Sequence, residues 1–157
     1  IGYRALRDNT TGQYNTALGG DALLSNTTAS NNTAVGYQSL YANTTAQSNT
    51  AIGRTAMYTK TTGEDNVAVG QDALYYNTTA SFNTAIGKNA LLANTTGARN
   101  TSVGQQSMRQ NSTGNYNTAV GRSALYSNTT ASYNTAVGYE AGYANTTGAR
   151  NVALGVF

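Results

Sequence analysis

Apolar and polar positions repeat along this chain with a single period of 17 residues. A glycine marks every period from Gly2 to Gly155, with a branched residue or leucine before it and asparagine four residues before each glycine from Gly19 onward. Threonine follows each glycine up to Gly138 by nine residues. An Ala or Ser and then a Leu or Met follow by three and four residues, except at Ala141-Gly142. Such self-similarity indicates a repeat architecture. We expect residues 1–157 to form one array without an internal boundary, as a fragment of a longer fibrous protein.

Each copy contains two short segments of β-type sequence, Asn-Thr-Ala-Val-Gly and Ala-Leu-Tyr, joined by turn chemistry. Thr and Val favour strands, whereas Asn and Gly favour turns and tolerate positive φ. A unit of this size cannot bury its own apolar face, but stacked units can. The pattern therefore predicts an all-β fold, a parallel β-solenoid of about nine 17-residue coils. At about 4.8 Å between adjacent strands, it would be a rod roughly 43 Å long.

The Thr-Ala-Val-Gly segment has two uncharged faces, because side chains alternate along a strand. With Val, Ile or Leu filling the coil interior, Ala and Gly leave a flat stripe on which a second copy of the chain fits. A monomer with this stripe in water is the alternative. The predicted core and inter-chain strand residues are Ala34, Val35, Gly36, Ala51, Ile52, Gly53, Ala85, Ile86, Gly87, Ala119, Val120 and Gly121.

The invariant asparagine column predicts a ladder along the stack, since amide side chains both donate and accept hydrogen bonds. Its expected members are Asn32, Asn49, Asn66, Asn83, Asn100, Asn117 and Asn134.

The apolar content is low for a folded domain. Leu, Ile, Val and Phe make up about 15% of the residues, below the level of roughly 20% at which disorder is expected. The net charge of only +3, however, is unlike that of disordered chains. A core of stacked small residues reconciles the two observations, because Ala and Gly lose almost no side-chain entropy on burial.

Composition also excludes most catalytic chemistry. The chain has no Cys and no His, so thiolate and imidazole nucleophiles and metal ligands are excluded. The six carboxylates form no repeated pair of the kind that acid–base catalysis or calcium binding needs. We therefore expect neither enzyme activity nor a cofactor. The acyltransferases with a hexapeptide-repeat β-helix have coils of similar length, but they typically rely on a catalytic His.

Two kinds of partner are also not expected. The nine basic residues are scattered along the chain and form no nucleic-acid stripe. No run of 18 apolar residues predicts a membrane span.

The repeated Asn-Thr-Ala-(Val/Ile)-Gly element, with variants such as residues 66–70 and 100–104, resembles the head repeat of YadA-type trimeric autotransporter adhesins. Similar repeats occur in phage tail fibres. The resemblance spans the whole chain, although the repeat is longer than that of the adhesins. It implies a left-handed β-roll in which three chains pack side by side with the Ala-Val-Gly strand innermost.

Two further columns are candidate sites. Tyrosines after the Leu position offer a contact surface for a host protein or a glycan, or else stack to cover the coil edges; they are Tyr41, Tyr58, Tyr75, Tyr126 and Tyr143. The Asn-Thr-Thr and Asn-Ser-Thr triplets match N-glycosylation acceptors, or else form a required turn. The column is interrupted by Lys60, and its candidate acceptors are Asn26, Asn43, Asn77, Asn94, Asn111, Asn128 and Asn145.

These features predict a structural segment of a fibre that is extracellular, at a cell surface or on a virion. It would act as a rigid homotrimeric rod with a candidate adhesive surface. The alternative is an ice-binding β-solenoid that uses Thr arrays. Against that alternative, adjacent residues of a strand face opposite sides, which would separate the two Thr of Asn-Thr-Thr.

Overall fold

The computed structural model describes residues 2–59 and 61–156 and forms an all-β parallel β-solenoid. Lys60, the predicted interruption of the Asn-Thr-Thr column, lies outside the described residues. One three-residue strand occurs in each repeat, β1 to β9: Thr16–Leu18, Thr33–Val35, Thr50–Ile52, Val67–Val69, Thr84–Ile86, Thr101–Val103, Thr118–Val120, Thr135–Val137 and Val152–Leu154. Each strand pairs in parallel with the next, so that Ala34 lies opposite Ala51. The predicted parallel solenoid is thus confirmed.

The second predicted strand is wrong, because the Ala-Leu-Tyr segment forms turns. Asp72 and Leu74 have φ angles of 57° and 51°, in the left-handed region, and the other coils repeat this geometry. The turns still bond from coil to coil: the Leu74 amide donates to the Ala90 carbonyl at 3.1 Å. Positive φ at alternate residues curls the chain, which lets a 17-residue coil close on itself.

The coil interior is built from the strand alanines on one wall and the Leu or Met of the turn on the other. Ala34, Ala51, Leu74 and Met108 are all almost completely buried. The expectation that Val or Ile fills the interior is therefore wrong, and these side chains point outward. The interior of such a small coil is narrow, so only a methyl group fits opposite each Leu.

The invariant glycine is required by the next coil of the same chain. Gly36 has a φ of +132°, and a Cβ added there would lie 2.6 Å from the carbonyl oxygen of Gly53. The predicted Ala and Gly stripe is consequently not available to another chain, because Ala is inside and Gly lies against its successor. The remaining glycines of this column between Gly19 and Gly138 have φ angles between +128° and +135°.

Gly142 is a defect in the core. It takes the Leu position of the last coil with a φ of +63°, and an open pocket of about 200 Å³ lies beside it, lined also by Ala141, Ala153 and Leu154. Leu125, one coil earlier, adopts φ 49°, so leucine tolerates this backbone.

We expect Gly142→Leu to have a free energy of unfolding about 1 kcal/mol higher than that of Gly142→Ala, since both carry the same left-handed strain but Leu buries more apolar surface in this pocket. Gly142→Ala is the control, because it introduces the strain without filling the pocket. Urea unfolding of the three proteins measures the difference. A leucine variant no more stable than the alanine variant would contradict the prediction.

Candidate interaction surfaces

The outward face of the sheet is uncharged. The first and third residues of β1 to β9 form it, and we call it the Thr–Val face; the first is Thr in seven strands and the third is Val, Ile or Leu in all nine. Ile52, Ile86, Val120 and Val137 are between 37% and 41% exposed. In-register pairing aligns these aliphatic side chains in one row along the rod. Contiguous exposed apolar rows of this kind mark interaction sites.

The Asn column of the sequence lies inside the coil. The Asn49 backbone amide donates to Asn32 Oδ1 at 2.9 Å, and Asn49 Nδ2 donates to the Gly63 carbonyl at 3.0 Å. The same amide-to-Oδ1 bond links each member to the next, from Asn15 to Asn151. Each side chain thus joins two coils, mainly through backbone partners. The column is structural and is closed to ligands.

A second Asn ladder, which the repeat pattern did not lead us to expect, runs through the Asn-Thr-Thr triplets. Asn111 Nδ2 donates to Asn94 Oδ1 at 3.0 Å and to the Gly114 carbonyl at 3.0 Å. Asn77 Nδ2 instead reaches Thr61 Oγ1 at 3.3 Å. The signal was present in the sequence, because a small residue, Ala or Gly, always lies three residues after each of these Asn.

The second ladder occupies the candidate glycosylation sites. Asn26, Asn43, Asn94, Asn111 and Asn128 are completely buried. Their Nδ2 atoms, to which a glycan would attach, donate hydrogen bonds inside the coil. The folded coil therefore has no room for a glycan at these positions, and the turn interpretation of Asn-Thr-Thr agrees with the geometry.

The two Thr of each triplet lie together on the outside, between a buried Asn and a buried Ala or Gly in most coils. Thr27 is half-buried and Thr28 is exposed. The segment is a bend and not a strand, so the strand alternation behind the expectation of opposite-facing Thr does not apply here. Thr27 Oγ1 donates to the Thr44 carbonyl at 3.1 Å, whereas the hydroxyl of Thr28 makes no hydrogen bond within the described residues. We call this double column the Thr–Thr ridge.

The Tyr column after the Leu position is a stack. Tyr41, Tyr58 and Tyr75 have ring centroids 5.0 Å and 5.1 Å apart, and Tyr126 stacks on Tyr143 at 4.9 Å. All are half-buried except Tyr143, which is exposed, and burial raises the pKa of Tyr75. The ring faces cover one another, so this column offers mainly ring edges and hydroxyls to a partner.

A second aromatic column lies just before the invariant Asn and continues with arginine. Arg99 lies over the rings of Phe82 and Tyr116, 5.2 Å and 5.5 Å from their centroids. Tyr116 stacks on Tyr133 at 5.0 Å, and Arg150 follows at 5.4 Å. We call these five residues the aromatic–arginine column. All five are exposed. The Tyr and Phe positions are visible in the sequence, but their continuation through Arg99 and Arg150 becomes evident only from the stacking.

Charge is unevenly distributed along the rod. The ion pairs among the described residues, Arg4–Asp21 and Arg7–Asp8, both lie near its beginning. Hydrogen bonds from Arg4 hold the pKa of Asp21 below its ordinary value. From residue 73 onward the sequence has five basic residues and one acidic residue, Glu140. The second half of the rod is therefore positively charged, and its arginines have no carboxylate partner in the part of the chain that the structure describes.

Residues 2–59 and 61–156 contain no cluster of His, Cys, Asp or Glu suited to a metal ion. Within the same ranges, no helix is long and apolar enough to cross a membrane. Comparison of the chain with protein-family models, curated proteins and solved structures finds no match.

Proposed function

We propose that this chain is a structural rod segment of an extracellular fibre, at a cell surface or on a virion, in which copies assemble through the Thr–Val face. One observation carries the proposal: the face is uncharged and displays a row of nine aliphatic side chains. Parallel sheets are normally covered on both faces, and here only the inner face is covered by the chain itself.

A homotrimer fits the shape of this face. The strip is one short strand wide, so three strips meeting around an axis bring their Val and Ile side chains into one shared core. The Thr at the first strand position would then line the edge of that core. The resemblance to YadA-type head repeats supports the same arrangement, with left-handed coils and the sheet strand innermost. The partner on this face is a second and third copy of the chain, and a host protein or glycan would bind elsewhere.

The rod is suited to a mechanical role. Backbone hydrogen bonds link every coil to the next in the turns as well as in the strands. Two asparagine ladders add side-chain bonds along the same axis. Each coil contacts mainly its neighbours, as in other solenoids, so the stability of the rod increases with the number of stacked coils.

The assembly is tested by placing charge on the Thr–Val face. We expect Ile86→Lys with Val120→Lys to convert a trimer into a monomer, because lysines would have to be buried without partners. Thr79→Lys with Thr96→Lys is the matched control, since both Thr are exposed on the Thr–Thr ridge. Sedimentation equilibrium gives the mass of each protein, and circular dichroism establishes that each is folded. A monomeric parent chain would contradict the proposal, as would a trimer that tolerates both lysines.

Ice binding is a second candidate, and the Thr–Thr ridge is the observation that favours it. The two Thr of a triplet lie side by side on the outside, and their columns repeat in register along the rod. Hydrogen bonds to the next coil restrain many hydroxyls of the first column, such as those of Thr27 and Thr78. Thermal hysteresis of a dilute solution tests this function. Hysteresis that disappears in the Thr79→Lys and Thr96→Lys control would support it, and its absence in the parent chain would exclude it.

A further inference from the structure

We propose that the aromatic–arginine column binds an acidic polysaccharide that lies along the rod. The column comprises Phe82, Arg99, Tyr116, Tyr133 and Arg150. Each member lies two residues before the first position of a strand, so the column borders the Thr–Val face without being part of it.

The column is an ordered array before any ligand arrives. Tyr116 and Tyr133 are nearly parallel, with 3° between their ring planes, and Arg99 is held between Phe82 and Tyr116. Arg99 Nη1 also donates to the Tyr116 hydroxyl at 3.1 Å. A guanidinium that stacks between rings loses less conformational freedom when it binds an anion, because its plane is already oriented.

The charge of the column is available to a ligand. Neither Arg99 nor Arg150 forms an ion pair within the described residues, and the sequence between residues 73 and 139 contains no carboxylate. Asp65 occupies the same repeat position one coil before Phe82, so an acidic residue precedes the column at that end. Planar guanidinium groups bind carboxylate and sulfate oxygens through paired hydrogen bonds. The ligand is therefore anionic.

The stacking favours a polysaccharide over a nucleic acid. Single-stranded nucleic acids bind by stacking their bases on free aromatic faces. Here Tyr116 and Tyr133 cover one face of each other, and the guanidinium groups cover the opposite faces. What remains exposed is a row of ring edges, hydroxyls and guanidinium N–H groups. Such a row donates hydrogen bonds to the hydroxyl and carboxylate groups of a sugar chain.

The repeat length also fits an extended sugar chain. Successive rungs of the aromatic columns are 4.9 Å to 5.1 Å apart. One pyranose unit of an extended β-linked chain spans a similar length. Successive sugar units would therefore meet successive rungs in the same register, and the three-coil separation of Arg99 and Arg150 would pair them with acid groups three units apart.

Binding is measured with the whole chain by calorimetry at about 0.15 M salt, where the Debye length is about 8 Å. The carboxylate probe is β-linked oligomannuronate, the sulfated probe is β-linked chondroitin sulfate, and the control is a neutral β-linked cello-oligosaccharide. We expect Arg99→Gln with Arg150→Gln to weaken oligomannuronate or chondroitin sulfate binding about tenfold or more, because the paired charge-assisted hydrogen bonds of both guanidinium groups are lost. Arg54→Gln with Lys88→Gln removes the same charge from another column. This matched control should change binding by less than about twofold, because exposed charges beyond a Debye length are screened.

Three outcomes would overturn the proposal. The first is equal weakening by the two double variants, which would indicate unspecific attraction to the positive half of the rod. The second is tighter binding of poly(dT) than of either polysaccharide, which would indicate a nucleic-acid surface. The third is no binding of either acidic probe by the parent chain. Sedimentation of the same samples separates these outcomes from a failure of the proposed assembly, because a monomeric rod retains the column.

Discussion

Replacing Gly87 with Ala is expected to unfold the central coils. A Cβ at this position would lie 2.6 Å from both the carbonyl carbon and oxygen of Gly104 and 3.0 Å from the Gln105 nitrogen. These neighbours are backbone atoms, so relief requires that two coils move apart and lose their hydrogen bonds. The φ of +131° adds strain for any residue with a Cβ. We expect a loss of more than about 4 kcal/mol, at the upper end of the range for single substitutions.

The matched control for Gly87→Ala is a glycine outside the invariant column. Gly20 follows Gly19 directly, and a Cβ there would meet only the Tyr37 ring, at 3.4 Å. Gly20→Ala is expected to change the free energy of unfolding by less than about 1 kcal/mol. Thermal and urea unfolding followed by circular dichroism measure both variants. Similar effects of the two substitutions would show that close coil-to-coil approach is not what requires the glycine.

Asn94→Asp is expected to have the second largest effect. Asn94 is completely buried, and its Nδ2 donates to the Gly97 carbonyl at 2.9 Å and to Asn77 Oδ1 at 3.3 Å. A carboxylate in its place would still accept from Asn111 Nδ2, but it would face the two acceptors without a donor of its own. Because one partner of a buried network is replaced by an unpaired charge, we expect a loss of about 3–5 kcal/mol at neutral pH.

The pH dependence distinguishes this mechanism from simple loss of packing. Burial and the two facing acceptors raise the pKa of the introduced carboxyl group in the folded state above its unfolded value of about 3.9. The variant is therefore closest to the parent below that value and loses stability as the pH rises through the folded-state pKa. Asn31→Asp is the control, since Asn31 is exposed. An effect of Asn94→Asp that is constant from pH 3 to pH 8 would contradict the ladder argument.

The consequences of such substitutions should spread along the rod. In a solenoid each coil is stabilised by its two neighbours, so a defect in the middle divides the stack into two shorter ones. Two or fewer coils leave most of their apolar surface uncovered. Gly87 and Asn94 lie near the middle of the array, which is why we expect larger effects there than from equivalent substitutions near residue 20.

Several features of this protein are determined by the sequence alone. The 17-residue period, the invariant glycine and the alternation of strand and turn residues identify a parallel solenoid, because these signals repeat nine times and errors in one copy do not matter. The Asn column likewise predicts contact along the axis, since in-register stacking places identical residues over one another.

Only the tertiary structure decided which side of the coil each residue faces. Side chains alternate between two faces along a strand. In a three-residue strand such as Thr33–Val35 neither face is charged, so the alternation alone does not show which face is buried. The interior of the coil is narrow and Leu40 already fills its opposite wall, so the small Ala34 side chain lies inside and Val35 lies outside. Outside the strands the alternation does not apply, because the chain bends. Both Thr of Asn-Thr-Thr therefore lie outside the core, and Arg99, which has a φ of 57°, stacks between Phe82 and Tyr116. The local sequence determines the repeat, whereas the closure of the coil determines which side chains form the core and which form the outer surfaces.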